Sequence, residues 1–183
     1  MLGNTRFSQR TEWADGQPIS ELMAMALANP QLISLAAGFV DQQTLPVEPT
    51  RRALDALYSD TEPFRAALQY GTTAGFPPLR EALLARHLEQ DGATSGRGTP
   101  TVDHVVCTAG SNQLLHLVGE CLLDPGDIVL CAAPSYLVYL GILYNLGARP
   151  IGIGTDEAGM IPEALEEALQ HLDQAGTLPR VKA

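Results

Sequence analysis

The sequence predicts an α/β fold: a mostly parallel sheet with helices on both faces. Beyond Pro100, apolar runs of strand length alternate with helical patterns up to the last residues. Turn chemistry separates them, notably Asp124-Pro125-Gly126-Asp127 and Gly147. A chain of 183 residues, 45% of them hydrophobic, is large enough to bury a real core, as one domain or a domain and a half. Strand-helix alternation requires crossover connections, which pair strands in parallel.

Each element has its own signal. Residues 19–28, ISELMAMALA, are good helix formers with Ser20 as a cap and a stop at Asn29-Pro30. Leu32–Leu35 is a brief apolar run into Ala36-Ala37-Gly38, and the turn-rich DQQTLPVEP after it predicts an exposed loop. A helix over about 49–58 follows, with Leu54 and Leu57 facing inward, and then a loop holding Gln69-Tyr70-Gly71. Pro77 and Pro78 open an amphipathic helix, Leu79, Leu83, Leu84 and Leu88, that runs to about Gln90. The stretch DGATSGRGTP is a flexible connection by composition. Then come a buried strand at 102–108, a helix at 112–123, a strand at 128–132 and a helix at 136–146 closed by Gly147. A strand at 150–154, an acidic-faced helix at 161–172 and the start of another strand at Val181 complete the pattern.

Charge excludes several functions. With 21 acidic and 11 basic residues the net charge is −10, which repels nucleic-acid phosphates and anionic membranes. Neither a signal-peptide core nor a membrane-length apolar run is visible, so the chain reads as cytoplasmic. Cys107, Cys121 and Cys131 match no zinc or redox spacing and read as buried free thiols, and the four histidines never pair at ligand spacing, so no metal site is expected. Ten of the eleven basic residues are arginine; Lys182 is the only lysine.

The most informative segment is Val105-Val106-Cys107-Thr108-Ala109-Gly110-Ser111-Asn112-Gln113, an apolar run that breaks at glycine and enters a helix. Such a junction offers backbone N–H groups and the positive end of a helix dipole, so it reads either as a phosphate cradle or as an ordinary capped helix. Pro134-Ser135-Tyr136 places an aromatic ring just past a strand's carboxyl end, where it either stacks on a flat heterocycle or packs at the helix start. Gly152, Gly154 and Gly159 miss the dinucleotide-binding spacing, and Ser111 and Ser135 lack the flanking glycines of a nucleophile elbow. Glu163, Glu166 and Glu167 read as a solvated helix face.

Four blocks occur in order: ISLAAGFVDQQTLP, LQYGTTAGFPPLREALLARHL, VVCTAGSNQLLHLVGECLLDPGDIVLCAAPSYLVYLGIL and GARPIGIGTDEAGMIPEALEEAL. Together they resemble the N-terminal half of the pyridoxal-phosphate-dependent class I and II aminotransferases of fold type I, on the aminoadipate and kynurenine aminotransferase branch. The resemblance implies an N-terminal arm with part of the small domain and substrate loop at 1–46, and an incomplete large, cofactor-binding domain at 47–183. It implies that Gly110, Ser111 and Asn112 form the turn for the phosphate of pyridoxal 5'-phosphate, Asn112 standing where many relatives have glutamine. It also implies that Tyr136 stacks on the pyridine ring, that Tyr70 reaches the cofactor phosphate of a neighbouring subunit, and that Gly38 lines the substrate pocket. A homodimer with amino acid and 2-oxo acid substrates follows.

Such an enzyme needs a lysine amine to bind the cofactor covalently and move the substrate's α-proton. Lys182 matches no such lysine in the resemblance, and the chain is therefore expected to be inactive alone. Two further readings share these residues: a non-catalytic cofactor-binding or dimerisation remnant, and a carbon-sulfur lyase of the same fold. A transcription regulator of this fold would need a winged-helix segment, for which the roughly thirty residues before the first block are too few.

Overall fold

The computed structural model describes residues 7–13, 18–29, 31–35, 38, 40–90, 92 and 98–183. Among them the helices are α1 (Gln9–Trp13), α2 (Pro18–Ala28), α3 (Val47–Tyr58), α4 (Thr61–Ala67), α5 (Pro77–Gln90), α6 (Ser111–Leu122), α7 (Leu137–Asn145) and α8 (Pro162–Gln174). The strands are β1 (Ile128–Ala133), β2 (Arg149–Asp156) and β3 (Gly159–Met160). None of the described helices is long and apolar enough to cross a membrane. The described residues fall into two compact units, one from Met1–Ala37 with Ala109–Ala183 and the other from Gly38–Thr108.

The first unit holds the sheet. β1 and β2 pair in parallel over six residues, Ile128 opposite Arg149 through Ala133 opposite Gly154. α7 supplies the crossover between them. On the other edge of β1, Val181 makes an isolated parallel bridge with Ile128, at the residue where the start of a strand is expected. The sheet is mixed, because β2 folds back on β3 in an antiparallel pair. The Asp156 carboxylate accepts the Ala158 N–H at 2.8 Å and so tightens that turn. Val129, Cys131, Leu143 and Ala148 form the core, with Leu123, Tyr139 and Leu140 packed on it. α6 approaches α7 closely at Gly119, where a Cβ would lie 2.5 Å from Leu146 Cδ1. The N-terminal segment reaches this pair through Trp13, whose ring lies against Gly147, and through an Arg10–Glu120 ion pair at 2.7 Å.

The second unit is helical. α4 was not foreseen; its cap is Asp60, whose carboxylate accepts the Glu62 N–H at 3.1 Å. The expected strand at 102–108 is absent. Residues 102–104 form a 3-10 turn, with Val105 N–H donating to the Val102 carbonyl at 3.1 Å. Arg80 of α5 takes the Val105 carbonyl at 2.7 Å and the Val102 carbonyl at 2.5 Å, and Cys107 N–H donates to the Ala74 carbonyl at 2.8 Å. Backbone groups that a ladder would need are thus committed elsewhere.

Smaller expectations also change. α2 starts at Pro18, so Ser20 lies within the helix rather than at its cap. Pro30, Ala36, Ala37 and residues 91 and 93–97 lie outside the described residues. Leu54 is exposed, and so are Leu79 and Leu83, while Leu57, Leu84 and Leu88 are half-buried. Of the three free cysteines only Cys131 is buried; Cys107 is intermediate, and Cys121 is exposed on α6. Apolar neighbours in sequence do not bury a thiol when the helix face carrying it points outward.

Candidate functional site

The α6 N-terminus is built by one glycine. Gly110 is the N-cap residue, at φ 81° and ψ 170°, a conformation open to glycine and costly for a side chain. Having no side chain, it leaves the first turn without a side-chain cap, and that turn contains no acidic residue. A Cβ at Gly110 would meet nothing within 4 Å. Ser111, Asn112 and Gln113 are all exposed there. The Gln113 side chain reaches back, its Oε1 accepting the Ala109 N–H at 2.6 Å. Twelve helical residues stand behind these first N–H groups, giving the turn the positive end of a helix dipole.

Tyr136 lies at the same end of the unit. α6 packs along α7, and Gly119 near the end of α6 meets Leu146 at the end of α7, so the two helices run side by side in the same sense. The starts of α6 and α7 therefore lie at one end, and the start of α7 follows the carboxyl end of β1, the side on which parallel sheets bind ligands. Past β1 a cis peptide joins Ala133 to Pro134, Thr155 Oγ1 donates to the Ala133 carbonyl at 2.8 Å, and Tyr136 is the N-cap of α7. Its side chain is half exposed, at 56%.

The only lysine is at the opposite edge. Lys182 N–H donates to the Ile128 carbonyl at 3.0 Å, which holds residue 182 beside the first residue of β1. Its ammonium lies 4.0 Å from the carboxylate of Asp127, a side chain only 2% exposed. Asp127 also accepts the Asp124 N–H at 2.9 Å and faces Arg180 at 3.4 Å. The Asp124 N–H is the main cause holding the Asp127 carboxyl below its ordinary pKa; burial opposes it, and Arg180 and Lys182 add to the lowering. This pair was not foreseen. The signal was Asp127 closing a Pro-Gly turn just before an apolar strand.

Gly110, Ser111, Asn112 and Tyr136 thus share one unit, whereas Gly38 and Tyr70 belong to the other. Gly38 is exposed, with nothing within 4 Å of where a Cβ would stand. Tyr70 is 96% exposed, on the rim of an apolar groove of about 650 Å³ walled by Leu57, Pro63, Ala66 and Phe76. Among the described residues no group of three or more His, Cys, Asp or Glu side chains could hold a metal ion.

No protein-family profile matches the sequence. The curated aromatic-amino-acid aminotransferase 1 of Thermococcus litoralis is 34% identical over 174 residues, 93% of this chain and 39% of that protein. The crystal structure of Pyrococcus horikoshii kynurenine aminotransferase, in complex with PMP, matches with a TM-score of 0.79 at 35% identity, over 96% of this chain and 42% of that one. The chain is a homologue of the pyridoxal-phosphate-dependent aminotransferases of fold type I. A third aminotransferase, the α-aminoadipate enzyme of Thermus thermophilus complexed with N-(5'-phosphopyridoxyl)-L-leucine, gives a TM-score of 0.70 at 30% identity over 90% of this chain and 37% of that one. The homologue spans about two-fifths of the length of the curated relatives it matches. Aromatic, kynurenine and aminoadipate aminotransferases among the matches agree with the branch expected from the four blocks.

Proposed function

We propose that this chain is the phosphate-holding part of a pyridoxal-phosphate-dependent aminotransferase that moves an amino group between an amino acid and a 2-oxo acid. The observation that carries the proposal is the glycine-capped start of α6 beside the start of α7, where Tyr136 is the N-cap. The residues present fit the cofactor's phosphate and ring. Backbone N–H groups at Ser111 and Asn112 and the Ser111 hydroxyl donate to an anion, and the absence of an acidic residue in the first turn leaves it unopposed. The exposed Tyr136 ring covers one face of a flat heterocycle while its hydroxyl stays in water. When bound, the cofactor supplies an electron sink for the substrate's α-carbon.

The remaining assignments rest on the resemblance. Residues 1–46 act as arm and substrate loop and 47–183 as the first part of the large domain; Gly38 lines the substrate pocket; Tyr70 reaches the phosphate of a second subunit in a cytoplasmic homodimer. The extreme exposure of Tyr70 supports a role outside its own unit. This chain alone binds cofactor without turnover, because its only amine side chain is held by Asp127 about 17 Å of strand away from the Tyr136 edge. That placement equally favours a second reading, a binding module that keeps the phosphate turn without the chemistry.

Titration of the chain with pyridoxal 5'-phosphate and with pyridoxal, together with a transamination assay, tests both. The proposal expects preference for the phosphorylated form, loss of that preference in Ser111→Ala, and no turnover. Equal affinity for both forms overturns the phosphate turn. Turnover by the chain alone overturns the argument from Lys182.

A further inference from the structure

The geometry points to Gln113 as the positioning residue of the phosphate turn, an inference that rests on the reading of Gly110–Asn112 as that turn. With Gly110 as N-cap, Ser111, Asn112 and Gln113 are the first, second and third helical residues. A glutamine at the third position ordinarily returns to the N–H of the N-cap itself. Here it reaches one residue further, to the Ala109 N–H at 2.6 Å. That bond closes a five-residue ring around Gly110, the one residue in the segment whose backbone lies at positive φ. Gln113 supplies a hold from the helix side, so the N–H groups of Ser111 and Asn112 keep one direction.

The chemistry of the side chain matches its place. The oxygen of the amide accepts from Ala109, and the other end of the group is a donor, which puts no negative charge beside an anion. A glutamate would hold Ala109 equally well while setting a negative charge beside the phosphate. A leucine would fill the same volume and hold nothing.

Three readouts on the full chain test this: amide hydrogen exchange at Ala109, and the affinities for pyridoxal 5'-phosphate and for pyridoxal. Gln113→Leu is expected to speed Ala109 exchange and weaken pyridoxal phosphate binding about three- to ten-fold, the range of a single lost hydrogen bond, with pyridoxal binding unchanged. Gln113→Glu is expected to keep Ala109 protected and still lose preference for the phosphate form. A general loss of helix stability would lower both affinities together and leave their ratio intact. An unchanged ratio in Gln113→Leu, with Ser111→Ala reducing it, overturns the role of Gln113 and leaves the turn standing. A wild-type chain that does not distinguish the two ligands removes the turn and this inference with it. The wild type alone gives a further check: fast exchange of the Ala109 amide refutes the bond without any variant.

Discussion

Gly147→Ala probes how the N-terminal segment is fastened to the sheet unit. Gly147 ends α7 at φ 73°, and an added Cβ would lie 2.7 and 2.8 Å from two atoms of the Trp13 ring and 3.2 Å from Pro125 Cβ. Real Cβ contacts essentially never fall below 3.0 Å, so either the ring or the turn must move. The left-handed conformation alone costs an alanine about 1–2 kcal/mol. Displacing a half-buried indole adds roughly another 1–2 kcal/mol of lost packing. The total of about 2–4 kcal/mol should divide in a double-mutant cycle. In a Trp13→Ala background only the backbone cost of about 1–2 kcal/mol remains. Urea unfolding followed by far-ultraviolet circular dichroism measures all four proteins. Because Trp13 is the only tryptophan, its fluorescence reports the displacement directly, and a red shift is expected in Gly147→Ala. Equal costs in both backgrounds with unshifted emission would refute the packing of Trp13 on Gly147.

Three other outcomes follow from the same structure. The Asp127 carboxyl has a depressed native pKa, so its stabilising contribution is present above the ordinary carboxylate range and is lost as pH falls through the native value. The stability gap between wild type and Asp127→Asn should hold from neutral pH to about 5 and shrink below about 4 in urea titrations; a gap that widens in acid would contradict this. A thiol reagent should label the exposed Cys121 in the folded protein and reach Cys131, whose thiol pKa burial raises, only after unfolding; fast labelling of Cys131 would contradict the core described. Lys182→Arg should leave pyridoxal phosphate affinity unchanged in a binding titration, since the ammonium stands at the opposite edge from Tyr136; a large loss would place that amine in the site.

Much of the first unit was legible because its signals are local. An Asp-Pro-Gly-Asp turn, a glycine after α7 and an apolar run of strand length fix β1, α7 and β2 almost independently of context. The strand expected at 102–108 failed because a strand is defined by its partner, and at this segment Arg80 and Ala74 supply the partners instead. Leu54 and Leu79 have the spacing of an inward stripe yet stand exposed, since periodicity marks which face is apolar and not what covers it. The helix start at Ser111 was readable from the glycine that breaks the run before it. Gln113 was readable only once its reach to Ala109 was known, although a glutamine three residues after a cap is a signal in its own right. The isolation of Lys182 came from counting; its partner Asp127 needed the fold, because the two residues stand far apart in sequence and only the sheet brings them together.

A crystal structure of the chain grown with pyridoxal 5'-phosphate tests the central claim most directly. It should show the phosphate within hydrogen-bond distance of the Ser111 and Asn112 N–H groups, with the pyridine ring against Tyr136 and no bond to Lys182. Phosphate density at the Arg180–Lys182 edge, or a ring bound away from Tyr136, would contradict it.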